Sequence, residues 1–239
     1  MAKSRLNTEY QEKYPYPRHQ LGRAFLRGGI AFLAGLLTNF DVKGKENLPK
    51  EGPLLIVGNH FNFIDSIIPI HVTKYPLEFI NDEEMSMAPG LVKFLPGWWK
   101  TLKILQGQPN LEAIRASEAI LEQKGVLAIM PEGHVHKPPL GEPLPGAAFL
   151  ALRSGVPIIP IGAYSEDDWD IMGTIIKKHH RPKIVVRIGK PFGPLAAGDI
   201  NSVPGREDVR RAGQEIMEQI AQQLPPSARG PYLQESASL

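Results

Sequence analysis

Between Pro53 and Ile188, short and strongly apolar runs alternate with longer amphipathic stretches. Runs that are apolar at nearly every position are typical of strands covered on both faces, and intervening helices connect such strands in parallel. The pattern therefore predicts an α/β fold, a single domain with a mostly parallel central sheet flanked by helices. The five predicted strands are Leu54–Gly58, Leu77–Ile80, Val126–Met130, Pro157–Ile161 and Lys183–Ile188.

Two later stretches have the spacing of amphipathic helices. Asn110 is a suitable N-cap for a helix that ends at Lys124, where Gly125 follows. A last helix is predicted from Arg206 to Leu224, because Pro225 and Pro226 cannot continue it.

The length of 239 residues suits one domain with a full core. We expect residues 1–40 to form an N-terminal arm and an amphipathic helix at the membrane surface. Residues 41–224 are expected to form the main domain, and residues 225–239 a flexible tail.

Composition excludes several kinds of protein. The chain has no cysteine, which rules out disulfides, thiolate zinc sites and a cysteine nucleophile, and is consistent with the reducing cytoplasm. A net charge of +2 gives no indication of nucleic-acid binding. The longest charge-free apolar stretch, 28–40, is shorter than the ~20 residues that cross a bilayer. The polar first 20 residues do not resemble a secretory signal, so export is not expected.

The segment from Leu21 to Leu37 is predicted to be a helix with a broad apolar face, and Arg23 and Arg27 lie beyond the edge of that face. Such a helix fits the headgroup layer of a membrane, with leucines among acyl chains and arginines on lipid phosphates. A core helix, packed through its strip of glycine and alanine, explains the pattern equally well. Both interpretations remain open from the sequence.

A histidine and a carboxylate follow the first predicted strand. His60 comes two residues after Gly58, and Asp65 comes five residues after His60. Ligands bind at strand ends in open α/β sheets. A neutral imidazole can remove a proton from an alcohol, and a carboxylate on its other nitrogen fixes the tautomer and stabilises the imidazolium. The two side chains can meet only if the residues after His60 form a turn.

A second strand end carries Glu132 and Gly133. Glu132 is suited to bind an incoming hydroxyl group or to order nearby cations, and Gly133 permits close approach of a substrate to the backbone. A simple turn is the alternative for this segment alone.

Taken together, these segments resemble the glycerolipid acyltransferases, whose best-known members are the 1-acylglycerol-3-phosphate acyltransferases. The resemblance rests on Asn59-His60 with Asp65, on Pro131-Glu132-Gly133 and on 156–160, in that order. It extends from about Val42 to the segment near Pro191. Several blocks in a fixed order are far more specific than any one of them.

The resemblance implies a surface groove for an acyl chain and transfer from acyl-carrier protein or acyl-coenzyme A to a lysolipid such as 1-acylglycerol-3-phosphate, in phospholipid biosynthesis. It implies catalysis by His60 and Asp65 without a metal or other cofactor. The expected partners are membrane lipids and the acyl donor, and the expected location is the cytoplasmic face of the membrane, peripheral or monotopic. Expected substrate-binding residues are Asn59, Gln106, Glu132, Gly133, His134 and Lys137.

Two positions depart from the family pattern. Gln106 stands where the family usually has an arginine for the acceptor phosphate, and a neutral amide cannot replace the bidentate grip of a guanidinium. His134 and Val135 replace the threonine and arginine that often follow Glu-Gly. Lys137, Lys103 and Arg153 are candidates for the missing charge. The acceptor therefore either lacks the usual phosphate or is held differently.

Two other functions remain open. A metal-dependent hydrolase is suggested by His134 and His136, two positions apart, with Glu132, His60 and Asp65 as further ligands. A non-catalytic lipid-binding protein of the same fold is suggested by Gln106 and His134. The presence of both a base and its orienting acid argues against this second alternative.

Overall fold

The computed structural model of the chain describes residues 2–82, 90–104, 110–197 and 203–232. A seven-stranded sheet forms its centre, with strand order β1-β7-β6-β2-β5-β3-β4. The strands are β1 (Asn39–Lys43), β2 (Leu54–Gly58), β3 (Leu77–Asp82), β4 (Leu102–Ile104), β5 (Val126–Ile129), β6 (Ile158–Ser165) and β7 (Lys183–Ile188).

All neighbouring strands run parallel except β6 and β7, which are antiparallel. Strand β2 lies between β5 and β6 and is buried at every position. It is apolar throughout because both of its faces are covered. The carboxyl ends of β2 and β5 consequently point to the same edge of the sheet.

Helices cover both faces of the sheet. One buried cluster lies beneath α5, α6 and α8, and a second lies on the face that carries α2 and α3. The helices are α1 (Ala2–Lys13), α2 (Gln20–Leu37), α3 (Ile68–Val72), α4 (Leu95–Trp99), α5 (Leu111–Glu122), α6 (Pro145–Ser154), α7 (Ile171–Lys177) and α8 (Arg206–Ala221).

The predicted fold class is confirmed. Strands β2 and β7 have the predicted bounds, while β3 and β6 extend beyond the predicted ends and β5 stops one residue earlier. Helix α5 begins after Asn110, whose side-chain oxygen accepts the N–H of Ala113 at 3.0 Å. Strands β1 and β4 are absent from the prediction, because neither is a continuously apolar run like those from which the other five strands are predicted, and β4 has only three residues.

The two ends of the chain differ from the expected division. Residues 2–13 form a helix that contacts α5, where an open arm was expected, and the boundary at 40/41 falls inside β1. At the other end, Ala228 and Tyr232 are buried, and the hydroxyl of Tyr232 donates to the Gly141 carbonyl at 3.0 Å. The first part of the expected tail, 225–232, is therefore packed on the domain, and only 233–239 of that tail lie outside the described residues.

Helix α2 has its charged residues turned inward and its large apolar residues outward. Arg23 is buried and forms two bonds to the carboxylate of Glu78, of 2.5 and 2.9 Å. Arg27 donates to the carbonyl oxygens of Ile70, Thr73 and Tyr75. The expectation that these arginines bind lipid phosphates is wrong, because buried carboxylate and carbonyl groups of the protein already hold them.

The apolar side of α2 faces away from the sheet. Leu21 is 91% exposed and Phe25 is 84% exposed, while Leu26 and Ile30 alone among its large apolar residues pack on the core. The core-helix alternative therefore fits only a narrow strip of this helix. None of the helices in the described ranges has the length and apolar character needed to cross a bilayer.

Candidate active site

Asn59 and His60 leave the carboxyl end of β2 and are both buried. The Asn59 side chain is held by β6, since its Nδ2 donates to the Ala163 carbonyl at 2.9 Å and its Oδ1 accepts the Ala163 N–H at 2.8 Å. This pairing occupies the amide on both sides. In this structure Asn59 fixes the start of the loop, and its expected contact with a substrate stays a prediction.

Asp65 closes a turn around the residues that follow His60. Its Oδ2 accepts the backbone N–H groups of Phe61 and Asn62, at 2.6 and 2.7 Å. A short 3₁₀ segment, Phe63–Ile67, carries Asp65 back toward the end of β2. The turn that the five-residue spacing requires is therefore present, and it brings Asp65 to the residue next to His60.

Burial favours the uncharged forms of both side chains. It lowers the pKa of His60 to about 4 and raises the pKa of Asp65 to about 8, and the N–H groups of Asn62 and Phe61 offset part of the second shift. The Nδ1 atom of His60 is buried and has no hydrogen-bond partner among the described residues. The imidazole is thus neutral at pH 7, with one nitrogen available to a carboxyl group.

Glu132 holds the backbone of His60. Its Oε2 accepts the His60 N–H at 2.8 Å, and its Oε1 accepts the Gly141 N–H at 2.8 Å and contacts Nε2 of His136 at 2.6 Å. Glu132 is 1% exposed. Both of its oxygens are used inside the protein, so the structure places it behind His60 and not at a substrate-facing surface.

We name residues 132–141, which follow β5, the Glu132 loop. Gly133 has a φ of 73°, which favours glycine, and its N–H donates to the Met130 carbonyl. His134 and Lys137 are exposed in this loop and remain candidates for contact with a substrate. Gln106 lies outside the described residues.

Of the cations considered for an acceptor phosphate, Arg153 is already bound by Glu118 at 2.8 Å. Lys137 is exposed in the Glu132 loop, two residues from Val135, where the family usually has its arginine. Lys137 is therefore the better placed of these two residues to meet a phosphate near His60.

A small hollow adjoins Asp65. Its walls are mostly apolar, and Asn59 and Asp65 are the polar residues in them. The long groove implied by the resemblance stays a prediction. The residues around the hollow are Ile56, Val57, Gly58, Asn59, Asp65, Ile68, Pro69, Met130, Ile161 and Ala163.

Within the described ranges, no cluster of three or more His, Cys, Asp or Glu residues could hold a metal ion. The metal-dependent hydrolase therefore gains no support. Nε2 of His136 faces the carboxylate of Glu132, and its Nδ1 lies 2.8 Å from the Lys137 carbonyl oxygen. Its two nitrogens are thus used in contacts with the protein.

His136 is the residue whose part in this site the sequence does not reveal. Its backbone N–H donates to the carbonyl of His60 at 3.1 Å, and its ring packs edge-on against Phe61. Glu132 and His136 are four positions apart, a spacing that predicts a contact on a helix, but these residues lie in a loop, so the sequence gives no usable signal for the pair.

Comparison with known proteins identifies related chains. Residues 39–164, more than half of the chain, match the model of a family described as Acyltransferase. The crystal structure of the 1-acyl-sn-glycerophosphate (LPA) acyltransferase PlsC from Thermotoga maritima is similar, with a TM-score of 0.53 and 20% sequence identity. That match covers 87% of this chain and 84% of PlsC, and at this identity it shows a shared fold. Comparison with curated proteins gave no match.

Proposed function

Because the chain belongs to the acyltransferase family, we propose that it moves a fatty acyl group from an acyl thioester to a hydroxyl group of a lysolipid. The donor is acyl-carrier protein or acyl-coenzyme A, and the favoured acceptor is 1-acylglycerol-3-phosphate, the compound after which the enzyme PlsC is named. The observation that carries the proposal is a buried, neutral His60 at the end of β2 with Asp65 in the adjoining turn.

In the proposed reaction, Nε2 of His60 takes the proton of the acceptor hydroxyl as its oxygen attacks the thioester carbonyl carbon. The tetrahedral intermediate collapses and the C–S bond breaks. His60 returns the proton to the leaving sulfur, so that the donor departs as a thiol. Asp65, when ionised, accepts a hydrogen bond from Nδ1–H and stabilises the imidazolium. The unpartnered Nδ1 supports this assignment, since hydrogen bonds at catalytic groups often shorten only when substrate binds.

We propose that the outward face of α2 rests on the lipid surface from which the acceptor is drawn. Large apolar side chains project from this face, and the arginines beside them are held by the protein. Helix α4 adjoins α2 and exposes Trp98, an aromatic residue type enriched at membrane interfaces. The exposed residues of α2 are Leu21, Phe25, Phe32, Leu33, Leu36 and Leu37.

The proposal is tested by thiol release from acyl-coenzyme A or acyl-carrier protein with a panel of lysolipids that carry or lack a phosphate monoester. We expect release that depends on the acceptor and is fastest with 1-acylglycerol-3-phosphate. Lys137→Met should raise KM for that acceptor and leave KM for phosphate-free acceptors unchanged. Lipid binding without thiol release for any acceptor would instead support the non-catalytic alternative.

A further inference from the structure

The side chain of His136 performs no step in the proposed reaction, yet both of its ring nitrogens make short contacts. Nδ1 lies 2.8 Å from the Lys137 carbonyl oxygen, and Nε2 lies 2.6 Å from Oε1 of Glu132. Gly141 leaves room for the contact between Nε2 and Glu132, because a Cβ atom at position 141 would lie only 3.3 Å from Nε2 of His136. The loop therefore closes tightly around the two side chains.

Hydrogen-bond chemistry fixes where the protons lie. A carbonyl oxygen only accepts, so Nδ1 of His136 must carry a proton. The second contact also needs a proton, because two bare lone pairs would repel at 2.6 Å. Glu132 already accepts the N–H groups of His60 and Gly141, which stabilise an ionised carboxylate, so the second proton belongs on Nε2.

This arrangement controls the position of His60 from both sides. The carboxylate of Glu132 receives the His60 N–H, and the His60 carbonyl receives the His136 N–H. We propose that His136 is a positioning residue for His60, acting as an imidazolium that fixes Glu132 against the His60 backbone. The inference rests on the proposed function, because positioning matters only if His60 is the base.

Loss of the proton on Nε2 of His136 would leave the lone pairs of Nε2 and of Glu132 Oε1 facing each other in place of the hydrogen bond. The Glu132–His136 pair would then carry one net negative charge. The charged and titratable groups around the Glu132–His136 pair are His60 and Asp65 after β2, His134, Lys137 and Glu142 near the loop, and Tyr232 from the C-terminal segment. Lys137 contacts His136 only through its backbone carbonyl among the hydrogen bonds described, and the side chain of Lys137 is exposed. No cation of this group is therefore held against Glu132 in place of the imidazolium.

The direct test is the protonation of His136, read by nitrogen NMR on protein labelled at histidine, with the resonance assigned from its absence in His136→Gln. We expect both ring nitrogens to carry hydrogen at pH 7. A bare Nε2 at that pH would overturn the proposal. This measurement needs no acyl transfer, so it decides the state of the pair even if the protein proves to have a different activity.

The second test is the pH dependence of acyl transfer. His136→Ala should lower kcat by about 10- to 100-fold with little change in KM, since a small misplacement of a catalytic group has effects of this size. In the wild type, kcat should fall again at alkaline pH, above the rise that comes from ionisation of Asp65, because loss of the Nε2 proton of His136 breaks its hydrogen bond to Glu132. His136→Gln keeps a donor toward Glu132 that cannot titrate, so it should restore most of kcat and should not show this alkaline decline. A merely structural role would lower kcat in both variants without altering the shape of the pH profile.

The control is His180→Gln, which removes a surface histidine whose Nε2 lies 3.7 Å from a carboxylate oxygen of Asp167. It should behave as the wild type at every pH. Wild-type kcat in folded His136→Ala, or an unchanged alkaline decline in His136→Gln, would contradict the proposal. Should His136→Ala fail to fold, the glutamine variant and the NMR measurement still decide the question.

Discussion

His60 and Asp65 lie within one turn at the end of β2, and burial removes the charge from both at pH 7. A neutral imidazole is what a general base requires, and the pKa of about 4 keeps His60 neutral over the whole physiological range. A protonated Asp65 cannot stabilise an imidazolium. We therefore expect the activity to rise with pH as Asp65 ionises, because its pKa is about 8.

Asp65 has two roles that substitutions can separate. In Asp65→Asn the amide oxygen can still accept the N–H groups of Phe61 and Asn62, so the turn should survive while the negative charge is lost. Activity should fall by about 10²- to 10⁴-fold, the range for loss of base catalysis, and the rise near pH 8 should disappear. Thermal unfolding and a pH–rate profile measure the two effects.

Asp65→Ala should lose activity to the same extent and also lose about 1 kcal/mol of stability, the usual cost of removing a side chain that caps backbone N–H groups. Equal unfolding midpoints for the two variants would show that the hydrogen bonds of the turn contribute nothing. Wild-type activity in Asp65→Asn would show that its charge has no part in the reaction.

The sequence predicts which residues belong to this site better than it predicts what each side chain contacts. His60 and Asp65 are recognised from a strand end and a spacing, which are local features. Asn59 and Glu132 are predicted to bind substrate, but their side chains hold Ala163 and the His60 backbone. These contacts join residues 104 and 72 positions apart, so no local pattern could reveal them.

At the scale of elements, α2 combines a polar attachment with an apolar outer face. Its amphipathic pattern can be read from the sequence, but the sequence does not show which face of the helix turns toward the sheet. Arg23 turns inward because Glu78, at 0% exposure in β3, accepts hydrogen bonds from Nη1 and Nη2 of its guanidinium group. The partner that decides this orientation is 55 residues away.

The exposed face of α2 predicts binding to lipid. Phe25→Ser with Phe32→Ser should weaken binding to vesicles of phosphatidylcholine and phosphatidylglycerol by about 10²- to 10⁴-fold, because each buried phenyl ring contributes roughly 1.5–3 kcal/mol and about 1.4 kcal/mol is a factor of ten. Sedimentation with vesicles measures the change. Thiol release from the acyl donor, measured with a short-chain, water-soluble acceptor, should stay near the wild-type rate.

Leu111→Ser with Val203→Ser is the matched control, since these apolar residues are also exposed but lie outside α2, at the start of α5 and three residues before α8. This variant should sediment as the wild type does. Equal loss of binding in both double variants would mean that general hydrophobicity, and not the face of α2, brings the protein to lipid.

For the whole molecule, strand order explains why distant segments form one site. Strand β2 lies between β5 and β6, so the residues after β2 meet the Glu132 loop on one side and Ala163 on the other. Alternating strands and helices predict such a sheet from sequence, because the pattern extends over the full domain. The order of the strands depends on long-range packing, which periodicity does not reveal. From the sequence, only the resemblance to acyltransferases indicates which strand ends form one site.

Thiol release by wild-type protein and by His60→Ala, with the preferred acyl thioester and lysolipid, tests the central claim most directly. We predict that the variant keeps the wild-type unfolding midpoint and loses about 10²- to 10⁴-fold in kcat, the contribution of a general base. Acceptor-dependent release at the wild-type rate by folded His60→Ala would contradict the account.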